Sequence, residues 1–208
     1  MILIGTMNLT RTLDSGQFFC PTCAVNEGYQ LRAVRPWLTL YFIPVCPVGG
    51  IEQHVRCASC KSIWDPSVLS MDEDDHKEAD RLRYVADVMR AAVLMVVGKG
   101  SIDDEEIQTL MDIGRERLKE PITRDELGWL CSQASASGMK VENLVLTACP
   151  GWNDAQRAEA LRILFIAASS GGQIEPEQLE SLGKLRQTLN LTEDEYRDII
   201  QSVAEFAA

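Results

Sequence analysis

Cys20-Pro21-Thr22-Cys23 and Cys57-Ala58-Ser59-Cys60 decide the fold of the N-terminal part of this 208-residue chain. Two residues between paired cysteines let a tight turn aim both sulfurs at one point. Two such turns make a tetrahedral thiolate cage. That cage suits Zn²⁺, which has no geometric preference of its own. With four thiolates the site is closed to water, so the expected ion is one structural zinc. The 33 residues between Cys23 and Cys57 leave room for a hairpin from Tyr29 to about Ile51. Cys46 and His54 are spare ligand types nearby. Cys46, between Pro44 and Pro47 in an apolar run, reads as a buried thiol, and His54 as a surface residue.

Outward from the knuckles, residues 1–70 read as strands. Ile2-Leu3-Ile4 is a short apolar run, and Leu38-Thr39-Leu40-Tyr41-Phe42-Ile43 is rich in β-favouring residues. Continued as a strand, it would put Leu38, Leu40 and Phe42 on one face and Trp37, Thr39, Tyr41 and Ile43 on the other. Asp14-Ser15-Gly16, Asn26-Glu27-Gly28, Gly49-Gly50 and Asp65-Pro66-Ser67 are turn signals. The charge run Met71–Glu78 reads as a linker or a first helical turn, giving domains at 1–70 and 80–208 joined by 71–79.

Beyond residue 79 the period becomes helical. Leu82, Val85, Ala86, Met89, Val93, Val96 and Val97 recur at three- and four-residue steps, and Gly98-Lys99-Gly100-Ser101 stops that helix. Ile107, Leu110, Met111, Ile113 and Gly114 form the inner face of the next. Thr123-Arg124-Asp125-Glu126 starts a third as a capping box. Shorter helices follow from Val141 to Cys149 and from Asn153 to Ser169. The last two begin near Glu175 and at Thr192-Glu193-Asp194-Glu195. Ala91–Leu127 and Ile163–Tyr196 share one plan. Gly100 and Ile102 match Gly172 and Ile174, and the two Thr-x-Asp-Glu caps match after a loop three residues shorter. Cys131 and Cys149 fall on apolar faces. The fold class is therefore α+β, mainly α: a small β zinc ribbon followed by an all-helical bundle with an internal repeat.

The formal charge of −11 is unevenly placed: residues 1–70 carry five Lys and Arg against four Asp and Glu, residues 71–208 fifteen against twenty-seven. An acidic chain has no general nucleic-acid footprint. Arg32, Arg35, Arg56 and Lys61 with Tyr29 and Trp37 form a small basic-aromatic patch, which makes a nucleic-acid-binding ribbon the alternative reading. His54 and His76 are the only histidines, too little for acid–base catalysis, so no enzyme and no small-molecule substrate are expected. The start lacks the basic flank of an export signal, and paired cysteines without one point to the cytoplasm.

Two resemblances follow from these residues. Phe19-Cys20-Pro21-Thr22-Cys23 and the run Arg35–Pro47, with its Phe42-Ile43-Pro44, resemble a bacterial zinc-ribbon family over residues 1–69. Ala24 and Lys61 depart from it where knuckles often carry Gly. Residues 80–208 resemble the TerB-like domains of tellurite-resistance and related stress proteins, through Gly100-Ser101-Ile102-Asp103-Asp104-Glu105-Glu106 and its echo Gly171–Glu177. Lys99 and Gly171 stand where that family has Asp, so metal binding by the acidic turns is not implied. Together the resemblances imply a non-enzymatic zinc-binding adaptor or regulator in bacterial stress response, with an envelope-associated extension. Its partner surface would be Trp37, Tyr41 and Phe42, or else the acidic helical face. The acidic helical part disfavours anionic lipid, so a protein contact or a homodimer is expected, with peripheral contact at the inner face of the membrane as the alternative.

Overall fold

The computed structural model describes the backbone of residues 4–206, so Ile2 and Leu3 of the predicted first strand lie outside the described residues. The chain divides into two compact units, one ending at Asp80 and one beginning at Arg81.

The first unit is an antiparallel sheet of five strands: β1 (Ile4–Cys20), β2 (Val25–Leu40), β3 (Ile43–Pro47), β4 (Glu52–Cys57) and β5 (Ile63–Trp64). Strands β1 and β2 pair along their whole length, from Cys20 opposite Val25 to Ile4 opposite Leu40, with one bulge between Thr12 and Asp14. The other edge of β2 is shared. Tyr29–Val34 pair with β4 and Trp37–Leu40 pair with β3. The apolar insert thus forms a hairpin, as expected, but one much longer on its other side, because β1 accompanies β2 throughout. Tyr41 and Phe42 are not strand residues. They form the two-residue β2–β3 turn, with φ of 50° and 68°, the paired left-handed geometry that suits a tight hairpin. The expected alternation accordingly stops at Leu40, and Ile43 returns opposite Leu40.

Phe18, Cys20, Val55, Cys57 and Val68 make the small core of this unit. Phe18 meets Tyr29 edge-on with centroids 5.8 Å apart. Tyr29 extends over Gly16, its cross-strand partner, where a Cβ would come within 2.9 Å of the ring. Its hydroxyl donates to Asp14 at 2.9 Å. Val68 is carried by a 3-10 turn over Pro66–Ser70, which Asp65 caps by accepting from the Ser67 N–H at 2.9 Å.

Seven α-helices follow: α1 (Glu73–Val97), α2 (Asp104–Asp112), α3 (Arg124–Ser137), α4 (Val141–Ala148), α5 (Asp154–Ser169), α6 (Pro176–Thr188) and α7 (Glu193–Phe206). The charge run is helical from Glu73, because the Asp72 carboxylate accepts from the N–H groups of Asp74 and Asp75, each at 2.9 Å. His76, on this first stretch of α1, packs on Phe19 of the ribbon with ring centroids 5.5 Å apart.

The second unit is held by one apolar cluster. It contains Val88, Val93 and Val96 of α1, Leu110 of α2, Leu127 of α3, Leu161, Ile163 and Leu164 of α5, and Leu182 and Leu185 of α6. Helix α5 packs against α2, α6 and α7. Leu82 and Ala86, expected on the inner face of α1, are exposed. With Ile122 and Trp129 they line an open groove. The buried stretch of α1 is instead nearly all-round from Val88 to Val96.

The internal repeat is real in three dimensions. Gly100 and Gly172 share a φ of 93°, which favours glycine. Asp103 and Glu175 then start α2 and α6, and each receives its capping box from three residues on, Glu106 and Gln178. The caps of α3 and α7 coincide as well. The Glu126 carboxylate accepts from the Thr123 N–H at 2.9 Å, and Glu195 from Thr192 at 2.8 Å. The longer connection of the first copy follows a π-helical turn over Ile113–Arg117 at the end of α2.

Candidate metal centre

The first knuckle is the β1–β2 turn and the second is the β4–β5 turn. Two local features fold each one. The Ala24 N–H donates to the Cys20 carbonyl at 2.8 Å, and the Cys57 N–H to the Ser62 carbonyl at 3.0 Å, closing each turn around its sulfurs. Ala24 (φ 55°) and Lys61 (φ 65°) then take left-handed backbone just after each C-x-x-C. Those are the two positions where the resemblance places Gly, so the strain they carry follows from the departure. The Ala58 N–H donates to the Gly28 carbonyl at 2.8 Å, and the Thr22 hydroxyl to the Ser62 hydroxyl at 3.2 Å. The first bond ties the second knuckle to β2, and the second ties one knuckle to the other.

The result is convergence of Cys20, Cys23, Cys57 and Cys60, whose sulfurs all lie within 4.8 Å of one another. Cys20 and Cys57 are fully buried, and Cys60 faces outward. The Cys20 and Cys60 sulfurs are 3.7 Å apart. That is too far for a disulfide and close to the edge, about 3.8 Å, of a thiolate tetrahedron around an ion at about 2.3 Å from each sulfur. The donor set therefore fits a metal ion. Cys46 and His54 are not part of the cluster. Cys46 is exposed on β3, a correction to the buried thiol expected from its apolar neighbours. All five residues of β3 are exposed.

The thiols differ in acidity. Cys60 is lowered to about 6, first by hydrogen bonds from the Ser62 hydroxyl and backbone. Cys23 is pushed up to about 12, first by its hydrogen bond with Cys60. Cys20 is raised by burial. Like charges this close repel, and a bound cation would offset that repulsion. Ser62 was not singled out from the sequence; its signal is a hydroxyl two residues after the last cysteine.

The three residues expected to meet a partner lie at the other end of the same hairpin. Trp37 sits in β2 between Met7 and Pro47, half-buried, and Tyr41 and Phe42 are exposed at the turn. At about 3.3 Å per residue along β2, Trp37 lies about 40 Å and the Tyr41-Phe42 turn about 50 Å from the metal end.

The acidic turn of the first repeat copy is filled by this chain's own cation. Lys99 Nζ lies 2.5 Å from Glu106, whose side chain is buried, and 4.0 Å from Asp103. The hydrogen bond to Glu106 raises the lysine above its ordinary range. In the second copy Gln178 holds the corresponding place and donates to the Met95 carbonyl at 3.0 Å. Among the described residues no helix is long and apolar enough to cross a membrane. Comparison of the chain with protein-family models, with curated proteins and with solved structures finds no match.

Proposed function

We propose that the chain is a zinc-binding, non-enzymatic adaptor. In this reading Cys20, Cys23, Cys57 and Cys60 hold one structural Zn²⁺ that fixes the base of a long hairpin, and the hairpin presents its apolar end to a partner. The observation that carries it is the convergence of four sulfurs within 4.8 Å. An all-sulfur tetrahedral set favours zinc over the hard cations, which take oxygen ligands. When bound, the ion supplies folding free energy and no open coordination position. The ligands come from turns that touch β1, β2, β4 and β5, so all four strands are tied at one point. The doubled Gly-x-Ile-acidic turn supports a TerB-like helical unit, and with it a bacterial stress-response setting like that of tellurite resistance. The test is metal analysis of the purified chain alongside Cys20→Ser and Cys60→Ser. Zinc in the wild type that is lost in both variants supports the reading. Zinc retained in both, or absent from the wild type, removes it.

A further inference from the structure

The end of the hairpin farthest from the four clustered cysteines differs in composition from the rest of the chain. No residue from Pro36 to Ile51 is charged, and none from Ile4 to Thr10 on the strand beside it. Phe42 is 79 % exposed, Ile43 67 % and Tyr41 57 %, with Val45 and Ile51 also exposed. A surface of this kind marks a contact site.

Three features say what the contact is. First, the turn is strained in favour of its side chains. Both Tyr41 and Phe42 adopt left-handed backbone, where Asn-Gly would sit at ease and bulky aromatics do not. The chain accepts that strain and gains two aromatic rings at the tip, the residue type that settles at a bilayer interface.

Second, arginines stand behind the apolar end. Arg11 and Arg35 share one face of the β1–β2 ribbon, since Arg11 opposes Ala33 and Leu9 opposes Arg35, and Arg32 stands on the other face opposite Thr12. Arg35 donates to the Gly49 carbonyl at 3.2 Å and Arg32 to the Gln30 side chain at 2.6 Å. Among the described residues none of the three has an ion-pair partner. Glu52, opposite Val34, is the one acidic residue on these strands beyond Leu31. In a chain of net charge −11, this end is locally cationic, which complements phosphate headgroups. Leu40 lies about 17 Å beyond Arg35 along the strand, about 23 Å beyond the position of Arg11 and about 26 Å beyond Arg32. An interfacial insertion of about 5–10 Å plus the headgroup layer, across which the long arginine side chains reach, accounts for the first of these distances.

Third, the free edge does not suit a partner strand. Pro44 and Pro47 remove two of the five backbone donors of β3. An edge blunted in this way is a poor template for pairing, and it leaves fewer polar groups to desolvate in lipid.

We propose that this end is a membrane-contact finger: Tyr41, Phe42 and Ile43 enter the interface of an anionic phospholipid bilayer while Arg11, Arg32 and Arg35 meet its phosphates. The inference rests on the adaptor reading only in taking the hairpin end as the contact surface. The test is sedimentation of the zinc-loaded full chain with vesicles of phosphatidylcholine alone or mixed with phosphatidylglycerol, at low and high salt. The expected result is association with the anionic vesicles that weakens with salt, and little with phosphatidylcholine. Phe42→Gly with Ile43→Thr keeps the turn foldable, relieves its strain and should abolish association while zinc content stays intact. Arg11→Gln with Arg32→Gln should weaken association about thirtyfold. Three results would overturn the proposal: no association with either vesicle, equal association with both, or a dimer by light scattering that the Phe42/Ile43 variant dissociates. Each of these leaves zinc stoichiometry, and so the adaptor reading, separately measurable.

Discussion

In the unit from Arg81 onward, among the described residues, twenty-eight apolar side chains are buried in one cluster. The ribbon buries five, and two of those are Cys20 and Cys57. The helical unit therefore holds its shape by burial, and its backbone polar groups are met within helices and, among the described residues, by five capping boxes of one pattern. The ribbon has long strands with little to bury between them, as β1 is exposed from Gly5 to Gln17. Strand pairing alone leaves such a hairpin marginal. On the proposed reading the two units differ in where the free energy comes from: a distributed core in one, and four thiolate–metal bonds at a single point in the other.

The largest effect expected from that contrast is on metal removal. A structural zinc site contributes on the order of 10 kcal/mol to folding. Chelation should therefore remove amide-exchange protection from β1, β2 and β4 while α2 to α7 keep theirs. Equal loss in both units would show that they share one stability.

Next comes truncation of the helical core. Leu161 and Leu182 are fully buried, and Leu→Ala at either should cost about 3 kcal/mol of helical stability in denaturant unfolding. Zinc content should not change. A loss of zinc in either variant would contradict the separation of the units.

The two repeat copies sharpen the comparison inside the helical unit. Replacing Lys99 with Met leaves the buried Glu106 carboxylate without its ammonium. The lysine side chain is only a quarter exposed, so the cost should be about 2 kcal/mol. Glu106→Gln should cost less, about 1 kcal/mol, because Gln178 performs the same capping in the second copy. If the two substitutions cost the same, the ion pair is not what the position requires.

A gain of about 1 kcal/mol is expected from Ala24→Gly or Lys61→Gly, each of which removes left-handed strain beside a ligand. The gain should be read in the zinc-loaded ribbon and be absent from the helices. The smallest effect concerns pH. Glu126 and Glu195 are lowered, first by the N–H groups of Thr123 and Thr192. A carboxylate depressed in the folded state stabilises fully above its unfolded pKa of about 4.3 and loses that contribution as pH falls through the lowered value. Helical stability should fall in that acid window, and Glu126→Gln with Glu195→Gln should flatten the decline.

How much was legible in the sequence follows the same divide. The helices were readable because burial writes a period: α5 and α6 start at Asn153 and Glu175 as the caps say, and the repeat shows as matched glycines and caps. The four cysteines were readable because ligand geometry fixes their spacing. Strand β1 was not. Thr6-Met7-Asn8-Leu9-Thr10 alternates, but Arg11 interrupts the apolar face, neither face packs on a core, and Asp14-Ser15-Gly16, which reads as a turn, runs on inside the strand beside its bulge. The Tyr41-Phe42 turn was hidden for a related reason, since aromatic residues signal strand and this turn lacks the Asn-Gly that would announce it. Leu82 and Ala86 kept the helical period but face a groove; periodicity names a face and not what lies opposite it.

The most direct test is elemental analysis of the purified full chain, with its Cys20→Ser and Cys60→Ser variants, combined with amide exchange of the ribbon strands. We expect one zinc per chain in the wild type, none in either variant, and protection of β1, β2 and β4 only where zinc is present. A zinc-free wild type whose ribbon strands remain protected would contradict the claim that four thiolates and one ion hold this unit together.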